Sequence, residues 1–401
     1  MNVLNRPLQA VVGLDGALLT ELLSEALAGR GPALLPIAAD TPPPRVRALL
    51  EAMRPATVRT PEGVTGVAGG AGIADDTALV IATSGSTGTP KGVELSARAL
   101  LHSARASIER IGAGPGDAWL CALPTSHISG LQVIVRALAA GTEPIHRRFD
   151  AADTMAVAAR HRAHVSLVPT QLRRLLAAGA DLSLFGTIVL GGAAADEGLL
   201  EAARAAGGRV VTTYGMSETC GGCVYDGVAL DGVTAGIGDD GRVLLAGPVL
   251  FSGYRLRPDL TAEHLRDEGG RRWFRTGDLG RLDGEGRLRV RGRVDDVINT
   301  GGHKVVAGEV AALLNRLGSV AEAAVVGRPD PEWGQRVTAV VVPTAGDAPP
   351  SLAELRSWVR AHLPAYAAPR ELDLRPALPL LASGKPDLQA LRSPAAAGRG
   401  E

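Results

Sequence analysis

The feature that most constrains this chain is a short apolar segment that runs directly into a loop rich in hydroxyl groups and glycine. Residues 78–82 read Ala-Leu-Val-Ile-Ala, which predicts a buried strand, and residues 83–92 read Thr-Ser-Gly-Ser-Thr-Gly-Thr-Pro-Lys-Gly. Glycine amides, hydroxyls and a lysine together are suited to bind phosphate groups. The P-loop NTPase pattern is excluded, because Lys91 follows a proline and precedes Gly92 where that pattern requires Ser or Thr. An ordinary turn is the weaker alternative.

The composition argues against several classes of protein. The chain has 401 residues with 42 basic and 42 acidic side chains, so it has no net charge to attract nucleic acid. We find no run of about 18 apolar residues, so no membrane span is expected. The first residues lack the charged and apolar blocks of a secretory signal, and three cysteines fit a reducing compartment. We therefore expect a cytoplasmic protein with no nucleic-acid partner.

Predicted strands alternate with predicted helices along most of the chain, a pattern typical of βαβ units and a mainly parallel sheet. Apolar spacing predicts helices at residues 17–27 and 131–139, for example. Residues 236–293 are rich in short strands and glycine turns, and a compact α/β unit follows. We predict an α/β protein with a large N-terminal domain, residues 1–294, that has parallel sheets and a β-rich part. A small mobile C-terminal α/β domain, residues 295–401, is predicted to follow.

Local signals predict some element ends. Ser96 is the predicted N-cap of a helix that runs to about residue 111. Residues 41–44, Thr-Pro-Pro-Pro, predict a break in regular structure, and the glycine-rich residues 62–72 predict a loop.

Further segments follow the loop in a set order. They are Gly191–Ala194, Thr213–Thr219, Trp273–Asp278, Gly292–Asp296 with Gly301–Lys304, and Ser383–Lys385. With residues 83–92, this ordered set resembles the motifs of the adenylate-forming superfamily, which includes acyl-CoA synthetases, luciferases and nonribosomal peptide adenylation domains. Only three of the 42 basic residues are lysines, and all three lie in these segments. The resemblance implies the adenylate-forming enzyme fold, with ATP, Mg²⁺ and CoA as the bound groups.

The resemblance also implies roles for individual residues. In the family reaction a carboxylate attacks the α-phosphate of ATP, and a thiol then attacks the acyl-adenylate. By resemblance, the nucleotide is held by Ser84, Ser86, Thr87 and Lys91 at the outer phosphates, by Gly191, Gly192, Ala193, Tyr214 and Gly215 around adenine, and by Asp278 and Arg293 at ribose. The remaining implied roles are Glu218 as Mg²⁺ ligand, Lys385 between the carboxylate and the α-phosphate, Asp295 as hinge, and Gly302 with Lys304 along the CoA path.

Taken singly, these residues also allow structural interpretations. Asp278 and Arg293 could form a surface ion pair, Tyr214 could be a core residue, and residues 301–302 could make a hairpin turn. Only the ordered set favours the functional interpretation.

Two segments on the acid side, residues 123–132 and 219–223, resemble the o-succinylbenzoate–CoA ligases most within the superfamily. That ligase substrate is an aromatic acid with two carboxylates, one activated and one that must be neutralised. The resemblance places His127 beside the reacting carboxyl group, and Arg136, Ser217 and Thr219 on the substrate side. Helical spacing alone puts Arg136 on one face with Gln132. From spacing alone, that face could line a polar pocket or could meet solvent.

Two other functions stay open at this point. One is an aryl or fatty acid–CoA ligase with a different acid, and the other is a non-catalytic nucleotide-binding homologue, against which the presence of Lys385 and Glu218 argues. Cys220 and Cys223 form a C-x-x-C pair without a second pair for zinc, so we expect them at the floor of the acyl pocket. We expect no carrier-protein domain after Lys385, which favours free CoA as the thiol partner. A homo-oligomer stays open.

Overall fold

The structure is a computed structural model that describes residues 5–84, 90–193, 197–346, 348–381 and 385–393. The strands are β1 Leu8–Val12, β2 Ala33–Ile37, β3 Thr57–Thr60, β4 Gly63–Gly66, β5 Thr77–Ser84, β6 Pro90–Ser96, β7 Trp119–Cys121, β8 Ile145–His146, β9 His164–Leu167, β10 Ile188–Leu190, β11 Val210–Met216, β12 Gly221–Tyr225, β13 Val228–Ala229, β14 Thr234–Ile237, β15 Arg242–Ala246, β16 Gly253–Tyr254, β17 Leu265–Glu268, β18 Arg271–Leu282, β19 Leu288–Arg293, β20 Val297–Thr300, β21 His303–Val306, β22 Val320–Asp330, β23 Gly334–Pro343 and β24 Glu371–Leu374. The helices are α1 Gly16–Leu27, α2 Pro43–Met53, α3 Ala97–Ile111, α4 Ile128–Ala139, α5 Ala151–His161, α6 Pro169–Ala177, α7 Glu197–Ala205, α8 Pro258–His264, α9 Ala307–Leu314, α10 Leu352–His362 and α11 Leu388–Arg392. Within these described ranges, no helix has the length and apolar character that crossing a bilayer requires.

Two seven-stranded sheets carry most of the strands before residue 254. The first has the order β16-β6-β5-β2-β1-β3-β4, and the second has the order β13-β12-β11-β10-β9-β7-β8. In the second sheet β8, β7, β9, β10 and β11 are parallel. The carboxyl ends of parallel strands lie at one edge of a sheet, so the segments that follow β7, β10 and β11 come together.

The apolar segment predicted as a buried strand lies in the core between the sheets and helices. Residues 78–81 in β5 are at most 1% exposed, as predicted for a buried strand. Ala78, Leu79 and Ile81 belong to one apolar cluster with Leu100 of α3 and with Leu131 of α4, whereas Val80 belongs to a second cluster with residues of β1 and β2. Strands covered on both sides become continuous apolar runs, which is the pattern seen here.

Two predictions of irregular backbone are only partly correct. Pro43 occupies the first position of α2, where a helix does not need the N–H that proline lacks. Strands β3 and β4 pair as an antiparallel hairpin, so the segment 62–72 is only partly a loop. Ser96, in contrast, caps α3 as predicted, because its hydroxyl oxygen accepts the Ala99 N–H at 3.1 Å.

The chain divides into two compact units. The first consists of Met1–Gly192, Ala202–Ala235 and Leu245–Arg275, and the second of Ala193–Glu201, Gly236–Leu244 and Thr276–Glu401. This division does not test where a mobile domain begins, so the boundary between residues 294 and 295 stays a prediction.

The second unit contains a sheet of order β21-β20-β23-β22 with β24 beside β23. Its long strands β22 and β23 are antiparallel, and residues of α9 and α10 such as Val310, Leu314, Leu355 and Val359 share its apolar core.

A further sheet, β14-β15-β18-β17 with β19 beside β18, forms most of the β-rich segment predicted for residues 236–293.

Candidate active site

Three segments singled out in the sequence end at the carboxyl edge of the second sheet. His127 follows β7 and precedes α4, Gly191 follows β10, and Glu218 follows β11. In open α/β sheets this edge is where ligands bind. The parallel pairing therefore brings three distant motifs to one edge of the first unit.

The predicted phosphate loop joins the two strands of an antiparallel hairpin. β5 and β6 pair so that Thr83 lies opposite Lys91, and the Thr83 hydroxyl donates to the Lys91 carbonyl oxygen at 3.4 Å. Ser86, Thr87 and the side chain of Ser84 lie outside the described residues. Their contacts with phosphate stay predictions.

Two glycines shape the edge next to β10. A Cβ on Gly191 would lie 2.5 Å from Thr213 Oγ1, and Gly192 has a φ of +84°. Glycine fits the narrow space at residue 191 and readily adopts the positive φ at residue 192. The two residues therefore form a surface without side chains, which suits the flat face of a purine. Ala193, which follows, is exposed and belongs to the second unit. The adenine contacts of these three residues stay predictions.

Tyr214 and Gly215 lie at a register shift in the pairing of β11 with β12. A Cβ on Gly215 would lie 2.0 Å from the Gly221 carbonyl oxygen, so only glycine lets the strands approach this closely. Tyr214 is half-buried. The nucleotide contacts of Tyr214 and Gly215, and the substrate contact of Ser217, stay predictions.

A tight helical turn after β11 carries Glu218. Thr219 holds this turn, because its hydroxyl oxygen accepts the Met216 N–H at 2.9 Å and its hydroxyl donates to the Gly221 carbonyl oxygen at 2.7 Å. Thr219 is completely buried. Its observed contacts thus maintain the backbone around Glu218, and a contact with the acid stays a prediction.

A tyrosine that the sequence analysis missed holds Glu218 through its side chain. The Tyr254 hydroxyl donates to Glu218 Oε1 at 2.9 Å, and the Phe251 N–H donates to the Glu218 carbonyl oxygen at 2.9 Å. Tyr254 reaches the turn because β16 pairs with β6, where it lies opposite Val93. Burial, reinforced by the negative charge of Glu218, raises the pKa of Tyr254, so its hydroxyl keeps its proton. No local sequence pattern points to this contact.

Lys91 lies beside the same tyrosine, with Nζ 5.8 Å from the centroid of the Tyr254 ring. The ammonium of Lys91 and the carboxylate of Glu218 thus flank Tyr254. A lysine can neutralise phosphate, and a carboxylate is a suitable ligand for a hard divalent cation.

The donor set fits Mg²⁺ bound together with a nucleotide. The Tyr254 hydroxyl donates to Oε1 of Glu218, so the predicted metal contact of this carboxylate would use Oε2. Among the described side chains, no three His, Cys, Asp or Glu residues converge as a self-sufficient metal site. Mg²⁺ commonly takes one or two carboxylates and completes its shell with phosphate oxygens and water. Glu218 would therefore act with the phosphates of ATP.

His127 immediately precedes α4 at the carboxyl edge of the sheet. Its carbonyl oxygen accepts the N–H groups of Gly130 and Leu131 in the first turn. A Cβ on Gly130 would lie 2.4 Å from the Pro124 carbonyl oxygen, so glycine lets α4 approach the preceding loop. His127 is half-buried, and its role beside the reacting carboxyl group stays a prediction.

Arg136 lies inside the protein, so the alternative of a solvent-facing arginine is wrong. It is 6% exposed, its Nη1 donates to Ser166 Oγ at 3.3 Å, and its guanidinium lies 5.5 Å from the centroid of the Trp119 ring. Burial lowers its pKa, and no carboxylate is among the described groups whose charge opposes this shift. A buried cation whose hydrogen-bond partner is a neutral hydroxyl favours the binding of an anion.

Cys220 and Cys223 are fully buried free thiols. Burial raises the pKa of both, that of Cys223 to about 12. Neither is therefore a thiolate near neutral pH. Their place at the floor of the acyl pocket stays a prediction.

In the second unit, Asp278 and Arg293 lie opposite each other on β18 and β19. Arg293 Nη1 is 3.5 Å from Asp278 Oδ1, and Asp278 is 7% exposed whereas Arg293 is exposed. The Asp278 N–H donates to Thr276 Oγ1 at 3.1 Å, which fixes the backbone. The two residues do form an ion pair, and their contacts with ribose stay a prediction.

The predicted hinge residue, Asp295, lies in a short turn directly after Arg293. Arg392 of α11 donates to the Asp295 carbonyl oxygen at 3.4 Å and to Asp296 Oδ1 at 3.3 Å. Burial raises the pKa of Asp296. These contacts tie the turn to α11, and rotation about Asp295 stays a prediction.

Lys385 lies in a segment whose backbone is paired, because the Leu381 N–H donates to the Lys385 carbonyl oxygen at 2.8 Å. The pKa of Lys385 lies below the usual lysine value. Desolvation by surrounding atoms lowers it most, the positive charge of Arg293 lowers it further, and Asp278 opposes the shift. Three residues predicted to contact the reacting nucleotide therefore share one electrostatic environment.

A hairpin turn joins β20 and β21 at Gly301 and Gly302. Their φ angles are +56° and +79°, and a Cβ on Gly301 would lie 2.5 Å from the Trp333 ring. Lys304 is exposed on β21. The structural interpretation as a turn is correct, and a role of Gly302 and Lys304 along the CoA path stays a prediction.

Comparison with protein families matches two parts of the chain. The AMP-binding enzyme family matches residues 54–255, more than half of the chain, and the AMP-binding enzyme C-terminal domain matches residues 309–385. The chain belongs to the AMP-binding enzyme family. Its α/β architecture, with a large N-terminal part containing parallel sheets and a smaller C-terminal part, is that of adenylate-forming enzymes.

Similarity to individual members extends over nearly the whole chain. A probable 2-succinylbenzoate–CoA ligase of Mycobacterium tuberculosis is 42% identical over 400 residues, which cover 96% of this chain and 97% of that protein. The o-succinylbenzoate CoA synthetase of Bacillus subtilis in complex with its acyl-adenylate intermediate has a TM-score of 0.82 at 27% identity, covering 97% of this chain and 89% of that one. The same synthetase with ATP and a magnesium ion has a TM-score of 0.81 at 27% identity, covering 96% and 89%.

Proposed function

We propose that this AMP-binding enzyme is an ATP-dependent acid–CoA ligase that forms an acyl-adenylate and then a CoA thioester, with 2-succinylbenzoate as its acid. The observation that carries the choice of acid is the buried Arg136, whose described hydrogen-bond partner is the neutral Ser166 hydroxyl. An acid with a second carboxylate supplies a counter-charge. A simple aryl or fatty acid leaves the buried guanidinium without one, which is unfavourable. The 42% identical ligase supports the same acid.

In the first half-reaction, charge builds on phosphate oxygens, so catalysis depends on positioned cations. Lys91 would neutralise the outer phosphates, Glu218 would hold Mg²⁺, and Lys385 would lie between the acid carboxylate and the α-phosphate. When bound, Mg²⁺ supplies positive charge to the phosphates. Asp278 would accept hydrogen bonds from the ribose hydroxyls.

In the second half-reaction, the thiol of CoA attacks the acyl-adenylate. Asp295 would be the hinge about which the C-terminal domain turns between the two half-reactions. This rotation would move Lys385 away from the reacting groups and bring Gly302 and Lys304, along the CoA path, into their place. Motions of this type often gate turnover. Use of CoA and a cytoplasmic location belong to this proposal, and the oligomeric state stays open.

The test of the proposal is acid-dependent pyrophosphate release with ATP and Mg²⁺, with and without CoA. We expect strong release and a CoA thioester with 2-succinylbenzoate, and little response to benzoate, coumarate, acetate or a medium-chain fatty acid. Pyrophosphate release with only one of those monocarboxylates would support the ligase activity and contradict 2-succinylbenzoate as the acid. If the protein binds ATP but releases no pyrophosphate with any of these acids, the result would contradict the ligase activity and favour a non-catalytic nucleotide-binding protein.

Replacing Tyr254 by Phe is expected to weaken the use of Mg²⁺. The change removes the hydroxyl that fixes Glu218 Oε1 and keeps the ring that packs against Phe251. Loss of a hydrogen bond to a charged group should raise the Mg²⁺ concentration for half-maximal rate by about tenfold. Binding of Mn²⁺ in the presence of ATP, followed by electron paramagnetic resonance, measures the same effect without turnover.

The matched control is Tyr225→Phe, which removes a buried hydroxyl paired with Ser107 at 2.7 Å. We expect this variant to bind Mn²⁺ as the wild type does. Unchanged Mn²⁺ affinity in Tyr254→Phe would show that the tyrosine does not position Glu218 for the metal.

A further inference from the structure

Gln132 is a buried amide that the protein itself does not satisfy. It is 3% exposed, and neither Oε1 nor Nε2 has a hydrogen-bond partner among the described residues. Buried side-chain amides nearly always have a partner, because an unpaired one loses its hydration without compensation. The Trp119 indole N–H, on the ring beside Arg136, is unpaired in the same way. Two unpaired polar groups thus lie close to Arg136, one on α4 and one on β7, and a bound ligand could supply their missing partners.

The position of Gln132 along α4 indicates which part of a ligand it would meet. A helix rises about 1.5 Å per residue, so Gln132 lies about 7.5 Å beyond His127 and about 6 Å before Arg136 along the helix axis. Gln132 and Arg136 share one face of the helix. A Cβ on Gly221 would contact Gln132 Cγ at 3.4 Å, so the side chain lies against the strand that follows the Glu218 turn.

The proposed acid has a polar group at the matching place. 2-Succinylbenzoate carries a ketone between its two carboxylates. With one carboxyl group near His127 and the other near Arg136, the ketone oxygen would lie beside the middle of α4. An amide N–H is a suitable partner, because a neutral carbonyl oxygen accepts a hydrogen bond and needs no counter-charge.

We infer that Gln132 is a specificity-determining residue whose amide N–H donates to the ketone oxygen of the acid. The inference rests on the proposed function, because it takes the two carboxylates to lie near His127 and Arg136. It goes beyond that function by assigning a residue that distinguishes a keto acid from a dicarboxylic acid of the same length.

The test combines one substitution with one change of substrate. Gln132→Leu removes the amide at similar side-chain size, and 4-(2-carboxyphenyl)butanoate keeps both carboxylates but has a methylene in place of the ketone. The measured quantity is kcat/KM for CoA thioester formation. The wild type should prefer 2-succinylbenzoate by about 10- to 100-fold. Gln132→Leu should use the two acids equally, with an unchanged KM for ATP.

Stability measurements separate this role from a structural one. Because Gln132→Leu replaces an unpaired buried amide by an apolar side chain, the Tm of the unliganded protein should stay equal or rise. Gln9→Leu is the matched control, since Gln9 is 6% exposed on β1 and its Nε2 donates to Thr57 Oγ1 at 3.0 Å. This control should lower the Tm and keep the ketone preference. Gln132→Met is a second variant in case leucine packs poorly.

Three results would contradict different statements. A retained ketone preference in both Gln132 variants would overturn the inference. A wild type that uses 2-succinylbenzoate without preferring it over the ketone-free acid would also overturn it, and would leave the proposed function intact. A wild type that releases no pyrophosphate with 2-succinylbenzoate would overturn the proposed function itself.

Discussion

Replacing Lys385 by Ala is expected to abolish acyl-adenylate formation while the protein stays folded. The ammonium group shares its electrostatic environment with Asp278 and Arg293, the pair proposed to hold ribose. Loss of one preorganised charged donor raises a reaction barrier by about 3–4 kcal/mol, which lowers the rate by about 100- to 1000-fold. The measurement is pyrophosphate release with ATP and 2-succinylbenzoate, and circular dichroism checks the fold.

Arg360→Ala is the control for this experiment, because Arg360 is an exposed cation in the last turn of α10. It should release pyrophosphate at the normal rate, and normal release by Lys385→Ala would refute the assignment. The pH profile provides a second check. Since Arg293 helps to lower the pKa of Lys385, Arg293→Gln should raise that pKa. The charged ammonium would then persist to higher pH, so the alkaline fall in rate should move to higher pH.

Replacing Arg136 by Met is expected to remove the use of 2-succinylbenzoate without destabilising the protein. Removing one partner of a buried ion pair costs about 3–5 kcal/mol, so kcat/KM for this acid should fall by at least about 100-fold. The KM for ATP should not change. The variant should use 4-oxo-4-phenylbutanoate, which lacks the ring carboxylate, as well as or better than the wild type does. Thioester formation with both acids measures this change of specificity.

Arg255 is the matched control for a buried arginine. It is 3% exposed, and its guanidinium donates to the carbonyl oxygens of Met53 and Gly72 and pairs with Glu94. Arg255→Met should lower the Tm, because it leaves buried acceptors unpaired, whereas Arg136→Met should not. An equal loss of activity for both acids in Arg136→Met, or an equal fall in Tm, would contradict a role of Arg136 in binding the second carboxylate.

Many elements of the fold were predictable because their signals are local. The buried strand in residues 78–82 and the cap at Ser96 follow from composition and spacing over a few positions. The start of α2 at Pro43 was missed, because three successive prolines look like a break and the helix-compatible conformation of the second one depends on packing. The hairpin of β3 and β4 was missed for a similar reason, since a glycine-rich strand forms only when it has a partner.

The contacts within the candidate site were less predictable than its residues. Glu218 and Lys91 were found from motifs, but Tyr254 was not, because the hydrogen bond to Glu218 depends on the pairing of β16 with β6. Helical spacing correctly put Gln132 and Arg136 on one face and could not tell whether that face meets solvent.

The sequence by itself determined the family, the order of the motifs and the charged groups available for nucleotide chemistry, because these depend on residue types at short spacing. Only the tertiary structure decided that Arg136 is buried beside a neutral hydroxyl, that Gln132 has an unpaired amide, and that Tyr254 holds Glu218. Burial and pairing depend on which distant segments the sheets bring side by side, and no spacing along the chain specifies that.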